Sequence, residues 1–113
     1  MRPRLEVGAR LRIDAPGYCC RGVYEITQAS SDYVRGSLLG PDGEVQPDKP
    51  YKIIGYREPF MLPDYDPVDE RRPCTRLGYT RDDIDSLLRK GEAALLAPGE
   101  EIGPIPETNR GAW

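Results

Sequence analysis

The side chains best suited to binding lie in the first half of the chain, where arginines alternate with apolar residues. Between residues 4 and 14 every second residue is apolar, which predicts a strand whose opposite face carries arginines. Arginine and tyrosine are enriched at protein-binding hot spots, and both also stack on bases or contact phosphates. The alternative is a wet, charged strand face with tyrosines filling a small core. We predict partner contacts from Arg4, Arg10, Arg12, Tyr18, Arg21, Tyr24, Tyr33 and Arg35.

The residue types that most enzymes and metal sites need are scarce. The chain has no histidine, which removes the commonest general base and metal ligand. Its three cysteines, Cys19, Cys20 and Cys74, match no zinc spacing, and their odd number argues against a disulfide framework. We therefore predict a protein that is not an enzyme and that holds no metal and no cofactor. Carboxylate or thiol chemistry stays a remote alternative.

The predicted binding residues belong to a strand-rich body, residues 1–58. Turn signals at residues 15–17, 30–32 and 41–43 separate short runs of β-forming residues, and Gly22 suggests a bulge or bend. The predicted strands cover residues 4–14, 18–28, 33–39 and 51–57. The fold class is α+β and mainly β, as a small barrel or a bent antiparallel sheet of about four or five short strands. The layout is similar to an SH3-like barrel in architecture alone, which implies no activity.

A proline-rich linker, residues 59–79, is predicted to follow the body. Its prolines exclude a helix. Phe60, Met61 and Leu62 are expected to pack the linker against the body, because a small domain rarely leaves three such residues exposed. The alternative is an apolar patch for a partner.

Residues 80–97 contain the predicted helix. Thr80 is a suitable N-cap, and Gly91 a suitable stop, with a further helical turn expected at residues 92–96. Ile84, Leu87 and Leu88 form one apolar stripe at helical spacing. We expect the stripe to dock on the body, with pairing to a second copy as the alternative.

The C-terminal arm, residues 98–113, is predicted to be extended. We count its apolar side chains, Ile102, Ile105 and Trp113, among the predicted partner contacts. Three alternatives stay open for the arm: it wraps the same molecule, crosses to a neighbour in a homodimer, or is disordered.

Length and charge limit the class of function. The 113 residues fit a single domain with a net charge of −3. Residues 1–58 hold nine basic against eight acidic residues, and residues 59–113 hold seven against eleven, so neither half is basic enough to indicate nucleic acid. No apolar run is long enough to span a membrane and no secretory signal is visible, so we expect a cytoplasmic protein.

These observations predict a non-enzymatic protein-binding module. It would be a small accessory, inhibitor or structural protein, of the kind that phages and mobile elements encode, and its partner would be another protein. The alternative is a nucleic-acid-binding small β-barrel that uses the arginine and tyrosine face.

Overall fold

The computed structural model describes residues 4–15, 20–48 and 73–107. Over these ranges the protein is α+β and mainly β, with one antiparallel sheet and one helix. Its elements are β1 (Arg10–Ile13), β2 (Gly22–Ala29), β3 (Tyr33–Leu38), β4 (Arg76–Thr80), α1 (Arg81–Lys90) and β5 (Ala93–Leu95). Within the described ranges, no helix is long and apolar enough to cross a membrane.

The sheet is open, with strand order β4-β3-β2-β1-β5. Strands β1, β2 and β3 follow one another as a meander, and the chain then adds β4 at one edge and β5 at the other. Among the residues that the structure describes, no strand pairing joins β4 to β5, so closure into a barrel is not observed.

The first strand is shorter than its alternation predicts. Gly8 adopts a left-handed backbone with φ of 90°, and the turn that it makes leaves Val7 68% exposed. Regular pairing begins only at Arg10, although Gly8 and Ala9 still exchange backbone hydrogen bonds with Ile26 of β2. The irregularity of β2 lies between Ile26 and Gln28 rather than at Gly22. The turn at Gly8 therefore shortens the strand that the alternating pattern of residues 4–14 predicts.

Both predicted turns around β3 are confirmed. The Ser30 amide donates to the Tyr33 carbonyl at 3.0 Å, which closes the turn between β2 and β3. After β3, Gly43 has a φ of 84°, and a single bridge joins Leu39 to Val45. The predicted strand at residues 51–57 and the apolar triplet at residues 60–62 lie outside the described residues.

The strand at the β3 edge comes from the segment predicted to be linker. Residues 76–80 of the predicted linker and helix cap form β4, which pairs along β3 from Tyr33–Thr80 to Ser37–Arg76. Its Leu77 is buried and Tyr79 half-buried, while Arg76, Gly78 and Thr80 are exposed. This alternation of buried and exposed residues spans only five residues and begins soon after Pro73. The proline-rich composition therefore led to the prediction of a linker instead of a strand.

Helix α1 confirms the predicted caps and the predicted docking. Thr80 Oγ1 accepts a hydrogen bond from the Asp83 amide at 3.2 Å, and Gly91 ends the helix in the left-handed region at φ 77°. Ile84 and Leu87 are buried in the core of the body. Residues 92–96 differ from the prediction, because the chain reverses at Gly91 and forms β5 beside β1 instead of another helical turn.

The sheet buries side chains on both of its faces. The core under α1 contains Leu11, Ile13, Tyr24, Ile26, Val34, Leu38 and Leu77 together with Ile84 and Leu87. Val23 and Leu39 are also buried, at 3% and 1% exposure, yet they stand outside that cluster. Because successive strand residues point to opposite faces, Val23 lies on the face away from α1. The start of the C-terminal arm contacts that second face at Arg12, which stands opposite Val23 in the register.

The sheet allows a matched test with two glycines. A Cβ at Gly36 would lie 2.8 Å from the Glu25 carbonyl oxygen, whereas one at Gly78 meets no atom within 4 Å. We expect Gly36→Ala to lower the free energy of unfolding by about 1–3 kcal/mol, because the strand backbone has to move. Gly78→Ala should raise it slightly or leave it unchanged. Urea denaturation checks this, and equal losses in both variants would contradict the observed register.

The helix cap allows a second stability test. Thr80→Ala removes the only side-chain acceptor observed for the Asp83 amide in the described region and should cost about 1 kcal/mol of unfolding free energy. Thr80→Ser keeps the hydroxyl and is the control, expected to stay near wild type. If the serine variant loses as much as the alanine variant, packing of the threonine methyl rather than capping stabilises this turn.

Candidate binding groove

The described part of the C-terminal arm folds back over its own sheet. Gly99, at φ 83°, makes a turn in which the Glu100 amide donates to the Ala97 carbonyl at 3.0 Å. Residues 100–107, here called the strap, then run from Arg12, on the face of β1 that points away from α1, to Gly22 at the start of β2. Ile105 packs against the hydrophobic core cluster. Of the three alternatives for the arm, the strap follows the first and wraps the same molecule, while Trp113 lies outside the described residues.

Two of the predicted arginines hold the two ends of the strap. Arg12 Nη2 donates to the Glu101 carbonyl at 3.0 Å, and Arg12 Nη1 lies 3.4 Å from a Glu100 carboxylate oxygen. Arg21 Nη1 donates to the Glu107 carbonyl at 3.2 Å, and its Nη2 donates to Asp14 at 2.7 Å. The side chains predicted to bind a partner therefore bind a segment of their own chain. The predicted extended conformation is interrupted there, because Gly103 adopts a left-handed backbone at φ 78° and the chain bends at Pro104.

The groove under the strap has an apolar floor. Val23 and Leu39 line it, and the strap residues from Ile102 to Pro106 form the facing wall. Gly22 lets the strap come close, because a Cβ there would lie 3.6 Å from Pro106 Cδ and 3.0 Å from a Leu38 methyl group. The groove can therefore accommodate extended apolar segments close to the backbone of β2.

The strap does not fill the groove. A cavity of about 260 Å³, open to solvent, remains between the strap and the floor, with Arg12, Asp14 and Arg21 as its charged lining. Arg21 Nε is sealed from water and has no acceptor among the described residues. A buried N–H group without an acceptor costs about 1–3 kcal/mol. With the strap bound, a cavity thus stays unfilled and one buried N–H group has no acceptor among the described residues.

The remaining predicted residues of the first half are divided among different environments. Tyr24 corrects the prediction: it is fully buried, and its hydroxyl donates to the Cys74 carbonyl at 2.6 Å, so it serves the core. Arg4 is exposed and pairs with Glu6 at 2.9 Å. Arg10 lies beside the hairpin, with Nη2 3.2 Å from the place where a Cβ of Gly43 would stand. Tyr18 lies outside the described residues.

Tyr33 and Arg35 form a second surface with neighbouring residues. The Arg35 guanidinium lies 4.9 Å from the centre of the Tyr33 ring, and Gln28 Nε2 donates to the Tyr33 hydroxyl at 3.3 Å. Gly78 lies opposite Arg35 in the register and leaves open space. We call these four residues the Tyr/Arg face. It is exposed or half-exposed and is separate from the groove.

An exposed ion pair stands beside the Tyr/Arg face. The guanidinium of Arg76 donates hydrogen bonds to the carboxylate of Asp48. That hydrogen bonding, with the added charge attraction of Arg76, holds the pKa of Asp48 below its ordinary value. The charge of Arg76 is therefore paired with that of Asp48, whereas the guanidinium of Arg35 stacks on the Tyr33 ring.

The floor of the groove was not predicted, although the sequence carries a signal for it. Val23 precedes Tyr24 and Leu39 follows Leu38, so each pair puts two apolar residues next to one another in or beside a strand. In an extended segment such a pair requires burial on both faces. The pairs indicate a second covered face, but not which segment covers it.

The fold and the groove define a small, mainly β protein of the α+β class whose own strap, held by Arg12 and Arg21, covers a partly open groove. No family model, no curated protein and no solved structure matches the chain. In the described part of the chain, no group of three or more cysteine or acidic side chains is placed to hold a metal ion. What the groove can do chemically is bind a chain segment through its carbonyls and its apolar side chains, as it binds the strap.

The arginine contacts can be tested in solution. Arg12→Met/Arg21→Met keeps the aliphatic stems but removes the donors to both ends of the strap. We expect the backbone order parameters of Ile102 and Ile105 to fall from about 0.85 to below about 0.6. Arg35→Met, which lies outside the groove, is the control and should change neither value. NMR relaxation measures this, and a strap that stays rigid in the double variant would show that apolar contacts alone hold it.

Proposed function

We propose that this chain is a non-enzymatic protein-binding module, an accessory, inhibitor or structural protein of the cytoplasm, whose groove receives an extended segment of a partner protein. The observation that carries the proposal is that the groove already holds a chain segment, the strap, through arginine-to-carbonyl hydrogen bonds at both ends. Main-chain carbonyls are present in every partner, so this mode of binding is available to other proteins.

The shape and lining of the groove support a peptide as the occupant. The strap lies with Ile102 and Ile105 over the floor, and Pro104 and Pro106 restrict its backbone to few conformations. Extended proline-containing segments lose little conformational entropy on binding, which makes them common ligands of apolar grooves. Arg12 and Arg21 bind two main-chain carbonyls of the segment, and Arg12 also pairs with the Glu100 carboxylate.

Nucleic-acid binding is the alternative function, and the arrangement of the arginines favours it less. Arg12 and Arg21 contact the strap and Arg4 pairs with Glu6, so these three do not form one face for phosphates. The Tyr/Arg face, with its stacked Tyr33 and Arg35, is the surface that favours base stacking. The net charge of −3 opposes association with a polyanion.

An SH3-like barrel stays part of the proposal for the fold. The meander of β1, β2 and β3, with β5 returning to pair with β1, supports it, because the chain then needs only curvature to bring the two edges together. The groove and its proposed ligand do not depend on closure.

The proposed function is tested by selecting binders from a random peptide library displayed against the full chain. We expect extended, proline-containing peptides with apolar centres. Their binding should shift the amide NMR signals of Val23, Leu39 and Arg21 and leave those of Tyr33 and Arg35 unchanged. An Arg35→Met chain is the matched control and should bind the same peptides equally well.

Two results would contradict the proposal. One is that the selected peptides shift the signals of the Tyr/Arg face instead of the groove. The other is that no peptide binds, while a single-stranded oligonucleotide binds with an affinity that falls steeply as salt is raised. That second result would identify the nucleic-acid alternative, because phosphate contacts release counterions.

A further inference from the structure

The cavity between the strap and the sheet is large enough for a small molecule. It measures about 260 Å³ and is open to solvent. Its floor is formed by the buried side chains of Val23 and Leu39, and Ile102 and Ile105 line the opposite wall with the two prolines of the strap. An apolar cavity of roughly 150 Å³ in a protein core already binds benzene. The space beneath the strap can therefore hold a molecule built on a single ring.

The charged side chains that line this cavity are paired within the chain. Arg21 Nη2 donates to an Asp14 carboxylate oxygen at 2.7 Å, and Arg12 Nη1 lies 3.4 Å from a carboxylate oxygen of Glu100. The other terminal nitrogen of each arginine donates to a carbonyl of the strap. A charged molecule would have to leave water for a site whose countercharges are already paired, which is costly. The lining therefore favours an uncharged occupant.

The lining also offers a hydrogen bond to a neutral polar group. The side chain of Asp14 is 71% exposed and lines the cavity. A carboxylate has more lone pairs than the single hydrogen bond from Arg21 uses, so it can also accept one from a hydroxyl group. Apolar walls with one such acceptor match a molecule that has an apolar body and a hydroxyl group.

A polypeptide does not suit the space beneath the strap, because the backbone of the floor is already paired. The Val23 carbonyl accepts from the Leu39 amide at 2.8 Å, and the facing part of β1 is paired with β2. A peptide inserted there would leave its own amides without partners, which is costly in a buried site. A partner's segment therefore needs the strap to leave, whereas a small molecule fits with the strap in place.

We infer that the cavity is a binding site for a small, uncharged molecule that combines an apolar ring with a hydroxyl group, and that this molecule keeps the strap in place. The ring contacts the floor and the strap, and the hydroxyl group donates to the Asp14 carboxylate. The site itself goes beyond the proposed function, and only its effect on partner binding rests on that function.

The strap forms one wall of this site, so the molecule binds the form of the protein in which the strap covers the groove. A ligand that binds one of two forms shifts the population toward that form. A partner's segment requires the opposite form. The small molecule and the partner's segment therefore oppose one another, and the molecule regulates access to the groove.

The first experiment uses the full-length chain and three probes that share one ring: cyclohexanol, cyclohexanecarboxylate and cyclohexylammonium. Amide NMR titration measures and locates their binding. We expect cyclohexanol to bind with a Kd in about the millimolar range, which suits so small a ligand, and to shift the signals of Val23, Leu39 and Ile105. Both charged probes should bind at least about tenfold more weakly, because their charge finds no unpaired countercharge.

A matched pair of variants tests the location. Val23→Thr keeps the shape of the floor side chain but adds a hydroxyl group, and Val7→Thr makes the same change at a residue that is 68% exposed and lies outside the cavity lining. We expect Val23→Thr to weaken cyclohexanol binding about fivefold, because the apolar floor becomes polar. Val7→Thr should bind it as wild type does. The probe series on the wild-type chain tests the site even if Val23→Thr does not fold.

Competition tests the effect on partner binding. At about ten times its Kd, cyclohexanol should weaken the binding of the library-selected peptides about tenfold, because those peptides need the strap to leave. Cyclohexanecarboxylate at the same concentration is the control and should weaken peptide binding at most about twofold.

The outcomes separate this inference from the proposed function. If peptides bind and cyclohexanol does not, or if the charged probes bind as tightly as cyclohexanol, the peptide groove stands and the inference is overturned. It is also overturned if Val7→Thr weakens binding as much as Val23→Thr does, or if cyclohexanol leaves the affinity for peptides unchanged. If cyclohexanol binds as expected and no peptide does, the small-molecule site stands and the proposed function is wrong.

Discussion

The constraint on which the structure depends is that the centre of the sheet is apolar on both faces. Tyr24 and Leu38 are buried under α1, and their neighbours in sequence, Val23 and Leu39, are buried as well. Adjacent strand residues point to opposite faces, so one covering layer cannot remove all four from water. Leaving an apolar side chain of this size exposed costs roughly 1.5–3 kcal/mol. The chain therefore needs a second cover, and the strap provides part of it.

This second cover explains where the arginines act. In the register, Arg12 of β1 stands opposite Val23 of β2, so a charged side chain lies directly beside the apolar floor. Pro104 and Pro106 prevent the strap from joining the sheet as a regular strand, so side-chain donors meet two of its carbonyls instead. Arginine suits this position because its stem covers apolar surface while its guanidinium reaches polar groups. The charged strand face that was predicted to contact a partner therefore contacts the protein's own strap.

The sequence predicted local features well and long-range ones poorly. The caps at Thr80 and Gly91 and the turn before Tyr33 depend on residues a few positions apart, and each is confirmed. The destination of residues 100–107 depends on contacts with Arg12 and Arg21, far away in sequence, and composition alone left three alternatives open. Strand β4 was missed because its five residues carry too short a pattern to outweigh the prolines before them. Within the candidate site, the arginines were predictable from their residue type, whereas the apolar floor became evident only when strand register was known.

Two of the contacts that hold the strap do not depend on which chain supplies it, since Arg12 and Arg21 bind main-chain carbonyls that every segment carries. The strap has the advantage of connection: a short tether gives it an effective concentration in about the millimolar range. A partner's segment at about micromolar concentration then needs roughly 4 kcal/mol of additional affinity to occupy half of the molecules. The unfilled cavity, and the Arg21 Nε that has no acceptor in the described part of the chain, are where such affinity can be gained. The features that make the strap fit poorly are therefore the ones that a partner's segment can improve.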